Sequence, residues 1–219
     1  QQSFVVEGTV SVLELLQSDY EIELLAATDE FSQKYRTILG KRNFDILNSS
    51  ADELGKIGSF QTNDGALAVV KMKENSPFTF QPHDFTLVLD DIRDPGNLGT
   101  IIRIADWYGF NGIVCSNTTT EFYNPKVIAA SKGSFCRIRP YYTDLPTFFE
   151  THTSSKKVIG MLLEGDSLYK YTFPQEGAFV VMGNESHGIS PEIRKLVTDA
   201  VSIPRFGGAE SLNVGIATA

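Results

Sequence analysis

The chain has 219 residues, enough for one large or two small domains, and its 42% hydrophobic and 21% charged residues are ordinary for a soluble globular protein. A net charge of −8 argues against non-specific nucleic-acid binding over a broad basic surface, but leaves open a local basic site or recognition by shape. Cys115 and Cys136 lie outside any CxxC and the three histidines are scattered, which argues against a zinc site or a disulfide framework and reads as two buried thiols in strands. No apolar run is long enough to cross a membrane and no signal segment opens the chain, so a cytoplasmic protein is expected.

Phe4 to Glu7 reads as a strand, and Gly8-Thr9 opens a helix carrying Val12, Leu13, Leu15 and Leu16. Glu21 to Thr28 is a second strand, Asp29 caps a helix with Phe31 and Tyr35, and Phe44 to Leu47 is a short strand. Ser50-Ala51-Asp52-Glu53 has the form of a capping box opening a helix that ends near Gly58. Ala66 to Val70 is a continuous apolar strand. These elements form a small α/β domain over residues 1–75. Residues 1–81 hold seven basic against twelve acidic side chains, so this part is no evident basic clamp.

Residues 76–84 lack periodicity and contain Pro77 and Pro82, the signature of a linker. From Phe85 the α/β alternation is clearer. Strands are expected near 86–90, 112–116, 134–139, 157–163, 178–182 and 200–203, and helices near 97–108, 125–132, 144–151, 191–198 and from about 211. Pro125 and Pro191 fit the first helical position. Such alternation with buried strands predicts a mostly parallel sheet with helices on both faces, in a second domain over 85–219. The chain opens directly on a strand and closes on Val214–Ala219, which reads as the start of a helix; the full protein is expected to continue beyond both ends.

Three loops following strands are placed to carry chemistry, at the strand ends where open α/β sheets bind ligands. The first runs from Asp94-Pro95-Gly96-Asn97 into a helix whose apolar face is Leu98, Ile101, Ile102, Ala105 and Tyr108. Thr100, Arg103 and Trp107 point the opposite way, and this stretch alone leaves Arg103 open as a solvated surface residue or a functional one. The second is Gly183-Asn184-Glu185-Ser186-His187-Gly188, where Glu185 reads as a ligand anchor or a helix cap, and His187 as an exposed loop residue or a base. The third runs from Ile203-Pro204-Arg205 through Gly207-Gly208 to Ser211-Leu212-Asn213, with Ser211 and Asn213 as helix caps or site residues. Neither G-x-G-x-x-G nor G-x-x-x-x-G-K-[ST] occurs, so spacing alone names no ligand.

Together the loops resemble the SpoU (TrmH-type) branch of the SPOUT RNA methyltransferases. Asp94 to Arg103 matches D-P-x-N-x-G-x-x-x-R, Gly183 to Gly188 matches G-x-E-x-x-G, and Ile203-Pro204 followed by Ser211-Leu212-Asn213-Val214 matches the third motif, in family order over about 85–219. Phe4-Val5-Val6-Glu7-Gly8 resembles the start of the small substrate-binding domain, similar to ribosomal protein L30e, that often precedes it.

The resemblance implies a sheet with a C-terminal trefoil knot, a homodimer, and S-adenosylmethionine-dependent methylation of a ribose 2′-hydroxyl in transfer or ribosomal RNA, with no metal. It implies that Met182, Gly183, Asn184, Ile203 and Leu212 hold the cofactor, largely through backbone groups. Arg103 matches the family's catalytic arginine, and Asn97, Glu185, Ser211 and Asn213 would complete the polar site. A guanidinium normally stays protonated, so two roles stay open for Arg103: a base deprotonated with help from an RNA phosphate, or, as favoured here, a group that holds the phosphate, orients the hydroxyl and stabilises charge. The Thr100–Arg103–Trp107 face is expected to meet the partner subunit. Ile104 stands where the family commonly has Thr, and Arg205 where Met is usual, which adds a charge suited to RNA phosphate. An RNA-binding module without catalysis and a knotted base methyltransferase are the competing expectations.

Overall fold

A computed structural model describes residues 2–40, 44–58, 63, 65–81, 83–152 and 156–219. The chain forms two compact units: Gln1–Glu74 with Phe122–Arg137, and Asn75–Glu121 with Ile138–Ala219.

The first unit contains β1 (Ser3–Glu7), α1 (Thr9–Leu16), β2 (Ile22–Ala27), α2 (Asp29–Lys34), α3 (Arg36–Leu39), β3 (Asp45–Asn48), α4 (Ala51–Ile57) and β4 (Ala66–Lys71). Its sheet has the order β1-β4-β2-β3, with β4 antiparallel to both neighbours and β2 parallel to β3. The cap of α2 is Thr28, whose hydroxyl accepts from Phe31 N–H at 3.2 Å, rather than Asp29. The Ser50 capping box forms as expected: Ser50 N–H donates to Glu53 Oε2 at 2.8 Å while Ser50 Oγ accepts from Glu53 N–H.

Residues 122–137 pack with this unit, although in sequence they follow the start of the second. Phe4, Tyr20, Tyr123 and Phe135 form one aromatic cluster there, with the Tyr20 and Tyr123 hydroxyls 3.2 Å apart. The sequence pattern predicts a strand at 134–139; Ser134–Cys136 is instead a 3₁₀ turn. Lys132 and Gly133 both take positive φ and turn the chain, so the apolar Phe135 is delivered to the cluster by a turn and not by a pleat. Cys136 is thus half-buried in a turn, whereas Cys115 is buried in a strand; burial pushes the Cys136 thiol up to about 12.

The second unit is a six-stranded sheet in which every neighbouring pair is parallel. In chain order it holds β5 (Thr86–Asp90), α5 (Pro95–Trp107), β6 (Gly112–Ser116), then, beyond α6 (Pro125–Ser131) of the first unit, β7 (Arg139–Thr143), α7 (Leu145–His152), β8 (Lys157–Ser167), β9 (Ala178–Gly183), α8 (Pro191–Arg194), β10 (Asp199–Ser202) and α9 (Val214–Thr218). Strand order is β10-β8-β9-β5-β6-β7. The sheet therefore grows outward one way from β5 and the other way from β9, and this reversal lies between two adjacent strands, the crevice where α/β sheets place ligands.

Val88, Val114, Val158, Phe179 and Val181 pack with Leu145, Phe148 and Phe149 of α7 and Ile193 of α8 in one core. The expected linker is packed against this core: Phe78 and Phe80 lie on it, and the Asn75 amide makes two 2.8 Å bonds with the Tyr142 backbone. Two apolar rings and a paired amide give this stretch contacts that its lack of periodicity hides; Pro82 lies outside the described residues. On α5, Leu98, Ile101, Ile102 and Ala105 are buried as the periodicity predicts, each large side chain contributing about 1.5–3 kcal/mol. Tyr108 is the exception. The helix ends at Trp107, so Tyr108 leaves the helical period, stands exposed, and donates to Ala219 O at 3.0 Å. The helix expected over 191–198 stops at Arg194 because Thr198 is drawn into the sheet: its N–H donates to Val158 O at 2.8 Å and its hydroxyl accepts from Val158 N–H at 3.1 Å.

Among the described residues no helix is long and apolar enough to cross a membrane.

Candidate active site

Parallel pairing of β5 with β9 runs in register from Thr86↔Phe179 to Asp90↔Gly183. Both strands thus end at the same level, and the turns that follow them, 91–94 and 184–190, emerge side by side. The first turn enters α5 through Asp94, whose carboxylate accepts from Asn97 N–H at 2.8 Å, with Pro95 in the first helical turn. This cap fixes the Asn97 backbone and leaves its side chain to reach across.

Asn97 is the junction of the three motif loops. Its Nδ2 donates to Glu185 Oε1 at 2.6 Å, and its Oδ1 accepts from Asn213 Nδ2 at 2.7 Å. Asn213 in turn caps α9, its Oδ1 accepting from Ile216 N–H at 3.2 Å. The capping reading and the site reading of Asn213 are therefore both realised, by opposite ends of one amide. Approach of α9 to α5 depends on small residues: a Cβ on Gly215 would sit 3.0 Å from Thr100 Cγ2. Thr100 consequently faces α9 rather than standing with Arg103 and Trp107 on an open face, a placement its wheel position could not reveal.

Arg103 and Trp107 are exposed, Trp107 by 85%. Arg103 stands six residues beyond Asn97, about 9 Å along the helix, and is not among the partners of the Glu185–Asn97–Asn213 chain. Ser211 and Leu212 are exposed in the third loop, and Ile203 is half-buried where β10 ends. Met182 is buried in β9, opposite Leu89, so it can offer a ligand only its backbone. Gly183 is required by a close approach: a Cβ there would lie 2.3 Å from the Gly188 carbonyl carbon and from Ile189 N. Asn184 is buried; its Nδ2 donates to Asp91 O at 2.8 Å and Asp91 Oδ2 at 3.1 Å, its Oδ1 accepts from Ser186 N–H at 2.8 Å, and its backbone exchanges two bonds with Gly188. His187 stays exposed, with Nε2 3.3 Å from Asp91 Oδ2.

Sequence reasoning misses Asp90 and Asp91. Asp90 Oδ2 accepts from Ser190 N–H at 2.7 Å and ties the start of α8 to the end of β5. The available signal is a pair of carboxylates closing the apolar run Leu87-Val88-Leu89, because carboxylates at the end of a buried strand need donors from another segment. Burial works to raise the Asp91 carboxyl, but hydrogen bonds from Arg93 and Thr118 and the positive charges of Arg93 and His187 outweigh it and hold the group below the usual carboxylate range.

Among the described residues no group of three His, Cys, Asp or Glu side chains could hold a metal ion. A cavity of about 640 Å³, lined by Phe78, Phe80, Phe85, Tyr108, Phe110 and Ala219 among others, contains none of the predicted site residues. The chemistry on offer is an exposed relay of amide and carboxylate beside loops that present backbone groups, with a guanidinium further along α5.

Comparison with known proteins places similar chains beside this one. The 23S rRNA (guanosine(2553)-2′-O)-methyltransferase RlmP of Bacillus subtilis is 28% identical over 218 residues, covering 99% of this chain and 86% of the relative. A putative RNA methyltransferase of the TrmH family from Porphyromonas gingivalis superposes with a TM-score of 0.85 at 32% identity, covering 99% of this chain and 86% of the other. An AdoMet-bound rRNA methyltransferase from Sinorhizobium meliloti superposes with a TM-score of 0.86 at 26% identity, covering 99% and 84%. The sequence model of the SpoU rRNA Methylase family matches residues 84–219, which span all three motif loops, and the chain belongs to that family.

Proposed function

We propose that this protein transfers a methyl group from S-adenosylmethionine to a ribose 2′-hydroxyl of structured RNA, ribosomal or transfer RNA. The observation that carries the reading is the Glu185–Asn97–Asn213 chain, which joins the three family motifs at the ends of β5 and β9. The residues suit the cofactor. The Gly207–Gly208 stretch brings backbone to the surface, Leu212 offers an exposed aliphatic contact, and Gly183, Asn184 and Ile203 lie at the ends of β9 and β10. When bound, S-adenosylmethionine supplies an electrophilic methyl on its sulfonium.

This chain's own residues bind and orient. Arg103 holds the RNA phosphate and stabilises negative charge developing on the ribose oxygen. Asn97 fixes Glu185, whose carboxylate faces the site, and Ser211 adds a hydroxyl. Arg205, exposed with its Nη1 donating to Ala209 O at 3.2 Å, adds a second phosphate contact. The reading also includes the family's C-terminal trefoil knot, supported by α9 returning from the edge strand β10 to pack on α5 and β9. It includes an L30e-like first unit over about residues 1–75, and a homodimer formed through the exposed Arg103–Trp107 face of α5.

The test uses the full chain and an unmodified 23S rRNA transcript. S-adenosylmethionine at a hundred times its Kd stabilises the protein by about 2.7 kcal/mol. Arg103→Ala abolishes methyl transfer and keeps that stabilisation. Wild-type transfer in Arg103→Ala removes its assigned role. Methyl found on a base in the digested product moves the reaction to the knotted base methyltransferases, and RNA binding without transfer supports a non-catalytic module.

A further inference from the structure

We propose that the Asp91 carboxylate is a positioning group that clamps both ends of the 184–187 turn and so places Glu185 against Asn97. The inference rests on the functional reading above for its effect on methyl transfer, and on geometry alone for the clamp.

Asp91 is the first residue after β5 and takes φ +62°, the left-handed region that side chains rarely enter and glycine enters freely. An aspartate held there points to a use for its carboxylate. The residue is 7% exposed, and each of its polar groups is engaged. Its N–H donates to Ser116 Oγ at 2.9 Å, and Oδ1 accepts from Arg93 Nε at 2.9 Å. Oδ2 accepts from Asn184 Nδ2 at 3.1 Å and faces His187 Nε2 at 3.3 Å.

Asn184 and His187 belong to the same turn, and Glu185 and Ser186 lie between them. Asn184 also holds the Ser186 N–H and closes the turn by two backbone bonds to Gly188. One carboxylate oxygen therefore bonds the turn at Asn184 and lies 3.3 Å from His187 at its other end, and the residue projecting between them is the one that meets Asn97 at 2.6 Å. Without the Asp91 side chain, Asn184 keeps its bond to the Asp91 main-chain oxygen at 2.8 Å, but the His187 end is released. Asp91 is not a member of the Glu185–Asn97–Asn213 chain and acts through Glu185.

Asp91→Gly tests the clamp with little risk to folding, since glycine suits the backbone while deleting the carboxylate. Amide hydrogen exchange across residues 184–188 rises by about tenfold or more in Asp91→Gly. With the 23S rRNA transcript, kcat falls by about tenfold to a hundredfold, while KM for RNA stays within about twofold. Asp91→Asn, which retains an acceptor oxygen and tolerates positive φ, recovers part of the loss. Combined with Glu185→Ala, the Asp91→Gly loss does not multiply, because the clamp acts only through the Glu185 side chain. Unchanged exchange over 184–188, or multiplying losses, overturns the proposal. Should the wild type transfer no methyl, the exchange measurement still decides the clamp, and the functional reading is what fails.

Discussion

Replacing Asn97 by aspartate puts two carboxylates face to face. The Asn97 Nδ2 position lies 2.6 Å from Glu185 Oε1, so an oxygen there meets another oxygen instead of donating to it. The acceptor facing Asn213 Nδ2 is preserved, so the perturbation is confined to the Glu185 side. Two unit charges about 4 Å apart repel by about 1 kcal/mol in water and about 4 kcal/mol at a protein surface. Glu185 is exposed, which favours the lower end, about 1–2 kcal/mol. Glu185→Gln by itself keeps an acceptor for Asn97 Nδ2 and loses only the charge assistance. In the N97D/E185Q double variant the new amide donates to the new carboxylate, which reverses the polarity of the bond and restores it. A double-mutant cycle of melting temperatures at about pH 7.5 is therefore expected to show a favourable coupling of about 1–2 kcal/mol, or about 2–8 °C at roughly 2–4 °C per kcal/mol for a chain of this size. Additive single-variant losses would refute the contact on which the site reading stands.

Three other outcomes follow from the same contacts. Ile101→Ala, at a fully buried position on α5, lowers stability by about 2–5 kcal/mol, read from a denaturant midpoint that shifts at constant m. Gly183→Ala forces a methyl against the Gly188–Ile189 backbone at 2.3 Å; the turn must move, stability falls by about 1–3 kcal/mol, and the melting shift induced by S-adenosylmethionine shrinks or vanishes. Asp91 has its folded-state pKa depressed, since the bonds and charges of Arg93, Thr118 and His187 outweigh burial. Its contribution is present above the unfolded-state value and lost as pH falls through the folded-state one, so below about pH 4 the wild type loses stability more steeply than Asp91→Asn; parallel pH profiles would contradict this.

Local patterns are readable wherever a short window contains the cause. The buried face of α5 follows from the spacing of Leu98, Ile101, Ile102 and Ala105, and the Ser50 capping box from two residues three apart. Pro125 and Pro191 sit in the first turns of α6 and α8 as their fixed φ dictates. The patterns mislead where the cause lies far along the chain. Val158 draws Thr198 out of a helix, and an aromatic cluster built on Phe4 and Tyr20 claims Phe135 from a strand.

The site divides in the same way. The residue types of Asn97, Glu185 and Asn213, and the turns and caps that hold them, are written into their own short stretches. That Asn97 bridges the other two is not, because the bridge spans 88 residues on one side and 116 on the other. It exists because β9 lies beside β5 with Gly183 level with Asp90, and because Gly215 lets α9 come against Thr100. Strand order and register come from the packing of every element at once. For the same reason Asp91 reads in sequence as a polar end to an apolar strand, and only the folded chain brings Asn184, His187 and Arg93 to its carboxylate.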